Sequence, residues 1–170
     1  VVVHNRLNRV VAWIYRLPAS WRPTLLSRLF GSQVKLVGTA GIRVQAISRS
    51  SATLSIANRA KVQNHIQGVH AAAMALLAES ATGFLVGMNL PDSKLLLLKS
   101  LQVDYRKRVV GGLTAVASLT PEQIAAIAQQ DKGELWVAVA VTDETGTAPI
   151  ECAMCWAWLS KKPPSPSNGG

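Results

Sequence analysis

One acid and one histidine mark the middle of the chain. Glu79 is the first carboxylate in the sequence, and it lies inside AAAMALLAESATGFLV, residues 71–86, where its neighbours are apolar or small. A lone carboxylate in such a segment must be hydrogen-bonded, open to a cleft or protonated, because burying an unpaired charge is expensive. Partial burial raises its pKa towards the range of a useful general base. His70 stands at the start of the segment, and Asn64 lies in the polar stretch before it. If 71–86 is helical, the amides of its first turn lack intrahelical acceptors and attract the negative charge that develops on a tetrahedral intermediate.

Helix geometry restricts how these groups can cooperate. His70 and Glu79 are nine residues apart, about 13.5 Å along the axis and about 180° around it. They cannot grip one small group within a single chain, so a second copy that brings its acid to this helix start becomes part of the expected mechanism. Each residue also has a plain structural role open to it. His70 can cap or pack at a helix start, Asn64 can form a turn, and Glu79 can be an interface hydrogen-bonding group. Ser80 sits in no nucleophile elbow, and the glycines make no phosphate-binding fingerprint. His4, His65, His70, Cys152 and Cys155 have no compact ligand spacing, so no metal is expected.

The elements that must position this chemistry follow from periodicity. The alanine-rich run from His70 to Val86 predicts a helix of four to five turns, with a surface small enough for a sheet to approach closely. Ahead of it, Leu7, Val10, Val11, Ile14 and Leu17 predict an amphipathic helix over 6–17 ended by Pro18. Thr24 is placed to cap a shorter helix over 24–30, stopped by Gly31. Alternation then predicts a hairpin of 41–49 and 52–58, with a polar loop over 58–68. Strands are expected over 94–108, 113–119, 135–142 and 148–159. In the first of them Leu96, Leu98, Ser100, Gln102 and Asp104 face opposite Leu95, Leu97, Lys99, Leu101, Val103 and Tyr105. Thr120, Pro121 and Glu122 open a short helix to Gln130. The order fits an α+β fold in which a curved antiparallel sheet wraps a central helix. Three parts are expected: an N-terminal helical extension over 1–40, the main domain over 41–160 and a flexible tail over 161–170.

Composition narrows the function. Hydrophobic residues make up 49% of the 170 and charged residues only 16%, few enough to predict that a partner covers part of the surface. The net charge is +9, and ten basic residues precede the first acid. Such a field attracts anions. Nucleic acid is not expected, because only Trp13, Tyr15 and Trp21 interleave with the basic run and no recognised nucleic-acid motif occurs. No run reaches the roughly 18 apolar residues of a membrane span, and Arg6, Arg9 and Arg16 interrupt any signal-like start. The basic amphipathic helices are available for peripheral membrane contact, although packing on the main domain is the favoured reading. Cys152 and Cys155, three apart in a strand, point to opposite faces and read as core thiols, which favours a reducing, cytoplasmic location.

The spacing Asn64, Gly68, His70, Glu79, with Val103-Asp104-Tyr105-Arg106-Lys107 closing the long strand, resembles the hotdog-fold superfamily over about residues 41–159. More narrowly it resembles the PaaI-like thioesterase branch and the DUF4442 family, whose members share a helical extension like that over 6–30. That pattern has His-Gly-Gly where this chain has His70-Ala71-Ala72. The resemblance implies a homodimer, or a dimer of such dimers, that hydrolyses an acyl-CoA or acyl-carrier thioester, with coenzyme A as part of the substrate and no separate cofactor. It implies that the Ala71 amide polarises the carbonyl and that Glu79 activates water or attacks directly. Asn64 and His70 would shape the loop or contact substrate, with Gly68, Val69 and Arg106 in substrate binding. The alternative is a non-catalytic acyl-CoA or lipid binder that keeps the fold without efficient carbonyl activation.

Overall fold

The structure, a computed structural model, describes residues 5–161; the expected tail over 161–170 lies outside them except for its first residue. Three helices come first: α1 (Arg6–Ile14), α2 (Arg22–Gln33) and α3 (Lys35–Ala40). The hairpin β1 (Arg43–Ile47) and β2 (Ser51–Ile56) leads through a loop to the long helix α4 (Ala71–Asn89). Strands β3 (Lys94–Tyr105) and β4 (Leu113–Ser118), helix α5 (Pro121–Gln129), and strands β5 (Lys132–Asp143) and β6 (Ile150–Ser160) complete the chain. The six strands form one antiparallel sheet in the order β1-β2-β4-β5-β6-β3. All of them except the edge strand β1 make repeated contacts with α4, which is the expected hotdog arrangement.

The alanine and glycine surface of α4 does what its composition predicts. A Cβ on Gly83 would lie 2.6 Å from the Trp156 ring, closer than any side chain allows. The Trp156 indole N–H donates to Thr82 Oγ1 at 2.9 Å, one residue away. By length and composition α4 is apolar enough to cross a membrane, contrary to the sequence expectation, and its burial inside the sheet accounts for that character.

Two local expectations change. Helix α2 does not start with a Thr24 cap or stop at Gly31; it runs from Arg22, with Pro23 in its first turn, to Gln33, and the third helix α3 follows. Gly31 is a contact residue, since a Cβ on it would come within 3.3 Å of Gly38 Cα on α3. In β3 the register against β6 shifts between Leu98 and Ser100. The bulge reverses the alternation, so Leu96, Leu98, Leu101, Val103 and Tyr105 pair with Trp158, Trp156, Met154, Cys152 and Ile150 and share the helix-facing side. Cys152 and Cys155 are free thiols, and burial pushes the Cys152 pKa up to about 11.

The extension packs onto the main domain. Leu26, Phe30 and Val37 join the common core, and the Phe30 and Phe84 rings lie 4.4 Å apart. Ser27 Oγ accepts from the Val44 amide and covers the β1 edge at that point. Asn5 fixes α1: its Oδ1 accepts from the Asn8 amide, while its Nδ2 donates to the carbonyls of Gly87 and Leu90. Because this side chain is buried, Asn5→Ala removes an N-cap, orphans the Leu90 carbonyl and leaves the Gly87 carbonyl only the longer bond from the Leu90 amide, and urea denaturation should show a loss of about 2–4 kcal/mol. A change under 0.5 kcal/mol, roughly the effect of an ordinary surface substitution, would mean that α1 is not anchored in this way.

Candidate active site

The start of α4 is held by its own flanking loop. Asn64 Oδ1 accepts from the amides of Ile66 and Gly68, both at 3.1 Å, and the Asn64 amide donates to the Gly68 carbonyl at 2.9 Å. Gln67 completes the turn with a left-handed φ of 61°. Gly68 is buried, and a Cβ there would lie 3.2 Å from Val109 Cγ1. Val69 is in the core, with its backbone bridged to Gln63. The His70 amide then donates to the Val62 carbonyl at 2.8 Å, which fixes where the helix begins.

His70 is the N-cap residue. Its Nδ1 accepts from the Ala72 amide at 3.0 Å, so the neutral ring carries its proton on Nε2. The Ala73 and Met74 amides both donate to the His70 carbonyl. Among the described residues, the Ala71 N–H is left without an acceptor. It lies at the positive end of a 19-residue helix, where a developing oxyanion gains both a hydrogen bond and a favourable dipole.

Tyr105 belongs to the same corner, and alternation alone gave no sign of it. Its hydroxyl donates to the Ala71 carbonyl at 2.8 Å. The bulge in β3 puts Tyr105 on the helix side of the sheet, and half-burial of the ring raises its pKa. Nearby, a cavity of about 340 Å³ borders the helix start between α3 and α4, lined by Leu36, Ala40, His70, Ala73 and Leu76 among others.

Glu79 stands apart from this corner, just over two turns along the helix from Ala71. Thr82 and Gly83, one turn further on, touch Trp156. Glu79 therefore faces the sheet between that contact and the Tyr105 contact at Ala71. Its carboxylate accepts from Ser80 Oγ at 3.2 Å and has no cationic partner among the described residues. Burial raises its pKa above the ordinary 4.5, and the Ser80 hydrogen bond only partly opposes this. Glu79 lines neither of the cavities that border α4. Leu98 and Leu101 of β3, both on the helix side of the sheet, are 38% and 42% exposed.

Asn64, Gly68, Val69, His70 and Ala71 thus meet at one end of α4, and Glu79 does not join them within one chain. Arg106 is elsewhere. Its guanidinium donates twice to Glu151 Oε2, at 2.9 and 3.1 Å, and that pairing raises its pKa. Glu151 pairs with Asp104 across the strands on the face away from α4.

With this geometry in hand, the family described as "Domain of unknown function (DUF4442)" matches residues 22–159. The chain belongs to that family. Its fold recurs in a Pseudomonas aeruginosa protein of unknown function named "Probable Thioesterase", 23% identical, with a TM-score of 0.72 over 85% of this chain and 97% of the other. It also recurs in a Haemophilus influenzae thioesterase, 14% identical, with a TM-score of 0.63 over 79% of this chain and 88% of that one. A Staphylococcus aureus thioesterase variant is 12% identical, with a TM-score of 0.63 over 74% and 99% of the two chains. At these identities the likeness establishes the hotdog fold. No curated protein matches the sequence.

The raised pKa of Glu79 has a signed consequence. A carboxyl whose folded-state pKa lies above 4.5 contributes most stability below the ordinary carboxyl range and loses that contribution as pH rises through the folded value. Glu79→Gln should therefore melt above the unmodified protein at about pH 8, with the gap closing towards about pH 4. Thermal melts across that range check this, and a gap that is constant with pH would contradict a desolvated Glu79.

Proposed function

We propose that this protein hydrolyses acyl thioesters, in the manner of the PaaI-like thioesterases, with acyl-CoA or an acyl-carrier thioester as substrate. The observation that carries the reading is the unsatisfied Ala71 amide at a capped helix start, in a fold shared with thioesterases. The thioester carbonyl oxygen accepts from that N–H. Glu79 of a second copy supplies the base that takes a proton from water as it adds to the carbonyl carbon. Collapse of the tetrahedral intermediate then breaks the carbon–sulfur bond and releases the thiol. Direct attack by the carboxylate, through an anhydride that water opens, is the other route open to the same pair.

The second copy is argued from β3. This twelve-residue edge strand exposes Leu95, Leu97, Leu98, Leu101 and Tyr105. A long apolar edge is a template for strand pairing. An antiparallel β3–β3 contact across a twofold axis continues the sheet and turns the open side of each α4 towards its partner. The homodimer is thus the smallest unit in which an acid meets a helix start. The ten basic residues before Glu79 supply an attractive field for coenzyme A phosphates. On the outer side of α1, Val10 and Trp13 are exposed beside Arg9 and are suited to peripheral contact with a membrane surface.

One observation favours a second reading. His70 Nδ1 occupies the Ala72 amide, so the helix start offers a single free donor, and a protein that binds acyl-CoA without turning it over fits that arrangement.

Proline at the first helical position tests the hydrolytic reading with little cost to the fold. Ala71 is that position, and His70, at φ −62° and ψ 143°, already has the extended backbone that a residue before proline adopts. Ala71→Pro should fold normally and lose roughly 10²–10³-fold in kcat for acyl-CoA hydrolysis, the usual effect of removing an oxyanion donor. Glu79→Ala should abolish thiol release. Tight acyl-CoA binding with no turnover by the unmodified protein would favour the binder, and full activity of Ala71→Pro would exclude the amide from the chemistry.

A further inference from the structure

Arg28, Arg43 and Arg59 belong to three separate parts of the chain, and the fold brings them to one place. Arg28 is on α2, Arg43 opens β1 and Arg59 follows β2. All three line a cavity of about 560 Å³ between α2, α3 and the hairpin. Ser27 Oγ accepts from the Val44 amide at 3.0 Å, and that bond sets the backbones of the adjoining Arg28 and Arg43 side by side. Gly31, Gly38 and Gly41 give the cavity a wall without side chains. A fourth cation stands beside Gly41: Lys61 Nζ would lie 3.1 Å from a Cβ there, and it donates to the Thr39 carbonyl at 2.7 Å.

These charges have no counter-ion within the protein. No carboxylate lines the cavity, and among the described residues none of the three guanidiniums makes a hydrogen bond or an ion pair. The described ion pairs lie elsewhere, joining Lys99 to Glu134 and Arg106 to Asp104 and Glu151. Like charges from separate elements repel where tertiary packing gathers them, and a cleft lined by one sign concentrates its field on an anion. The guanidinium fork matches the oxygens of phosphate in pairs. Ile42 aside, the lining is polar, cationic or glycine, which suits a hydrophilic occupant.

We propose that this cavity binds a small ligand carrying two or more phosphate charges, held by Arg28, Arg43 and Arg59. Its volume falls in the range of small-molecule sites. The nucleotide end of coenzyme A carries such charges, and so does a separate phosphorylated effector. The site stands on its own residues; taking coenzyme A as its source rests on the hydrolytic reading above.

Isothermal titration calorimetry at low ionic strength, with inorganic pyrophosphate and with adenosine 3′,5′-bisphosphate, tests the site directly. The unmodified protein should bind at least one of them. Arg28→Gln, Arg43→Gln and Arg59→Gln should each weaken that binding roughly 10-fold, the usual worth of a hydrogen bond to a charged group. Lys132→Gln removes the same charge from β5, outside the cavity, and should change it by less than about twofold. All three arginines are exposed, so the variants should fold, which circular dichroism and thermal melting check. Hydrolysis of an acyl-CoA and of the same acyl group on pantetheine, which lacks the nucleotide, separates the two sources. A fall in kcat/KM for the acyl-CoA alone marks coenzyme A as the ligand; a fall for neither, with anion binding lost, marks a separate effector. Failure of the unmodified protein to bind either anion would overturn the site. So would binding that a folded triple arginine variant retains, or that Lys132→Gln loses as strongly. Arginine-dependent anion binding with neither ester hydrolysed would uphold the site and end the hydrolytic reading instead.

Discussion

The architecture depends on how closely the sheet approaches the central helix. At Gly83 the Trp156 ring occupies the space of a side chain, and its indole N–H is satisfied by Thr82. A helix surfaced with alanine and glycine is a poor amphipath, but it lets a curved sheet wrap tightly, and dispersion contacts at that distance are numerous. The direction of α4 inside the sheet is set by this contact at one end and by the Tyr105 hydroxyl on the Ala71 carbonyl at the other. Between those two points the helix has little freedom to slide, so the position of its first turn is fixed to the accuracy of the sheet.

That first turn is where polar order concentrates. Asn64 closes the loop with its carboxamide oxygen, and His70 caps with Nδ1 and its carbonyl. Both residues therefore hold the Ala71 amide in position. Holding a donor before substrate arrives is the condition under which electrostatic stabilisation is large, since nothing has to reorganise during reaction. Glu79 has the opposite character. It is half-buried, without a cation, and its raised pKa follows from lost water. Two groups with complementary chemistry are thus held on one rigid rod, too far apart to meet. The long apolar edge of β3 is the surface through which a second rod can be brought alongside.

Much of this was legible in the sequence because it is local. The alanine-rich run, the Thr120 cap with Pro121 behind it and the period-two strands all depend on nearest neighbours, and each appears within a few residues of its expected bounds. The spacing of Asn64, Gly68 and His70 likewise encodes a loop that closes on itself. What was not legible is tertiary. The bulge at Leu98–Ser100 follows from pairing with β6, and it decides that Leu101 and Tyr105 face the helix. Gly31 looks like a helix stop until Gly38 is seen against it. Arg106 has the charge to hold a phosphate, yet its orientation is set by Glu151, 45 residues away. Nothing in the sequence signals either pairing.

The central claim is that the amide and the acid of one site come from different copies. Mixing Glu79→Gln with Ala71→Pro protein, after mild unfolding and refolding together, decides it. In the proposed homodimer each variant alone carries a defect in both sites, whereas a mixed dimer has one site with both defects and one with neither. Return of thiol release on mixing is the predicted result, at a level that follows the fraction of mixed dimers. Mixed dimers that form, as shown by mass spectrometry, and stay as inactive as their parents would contradict it.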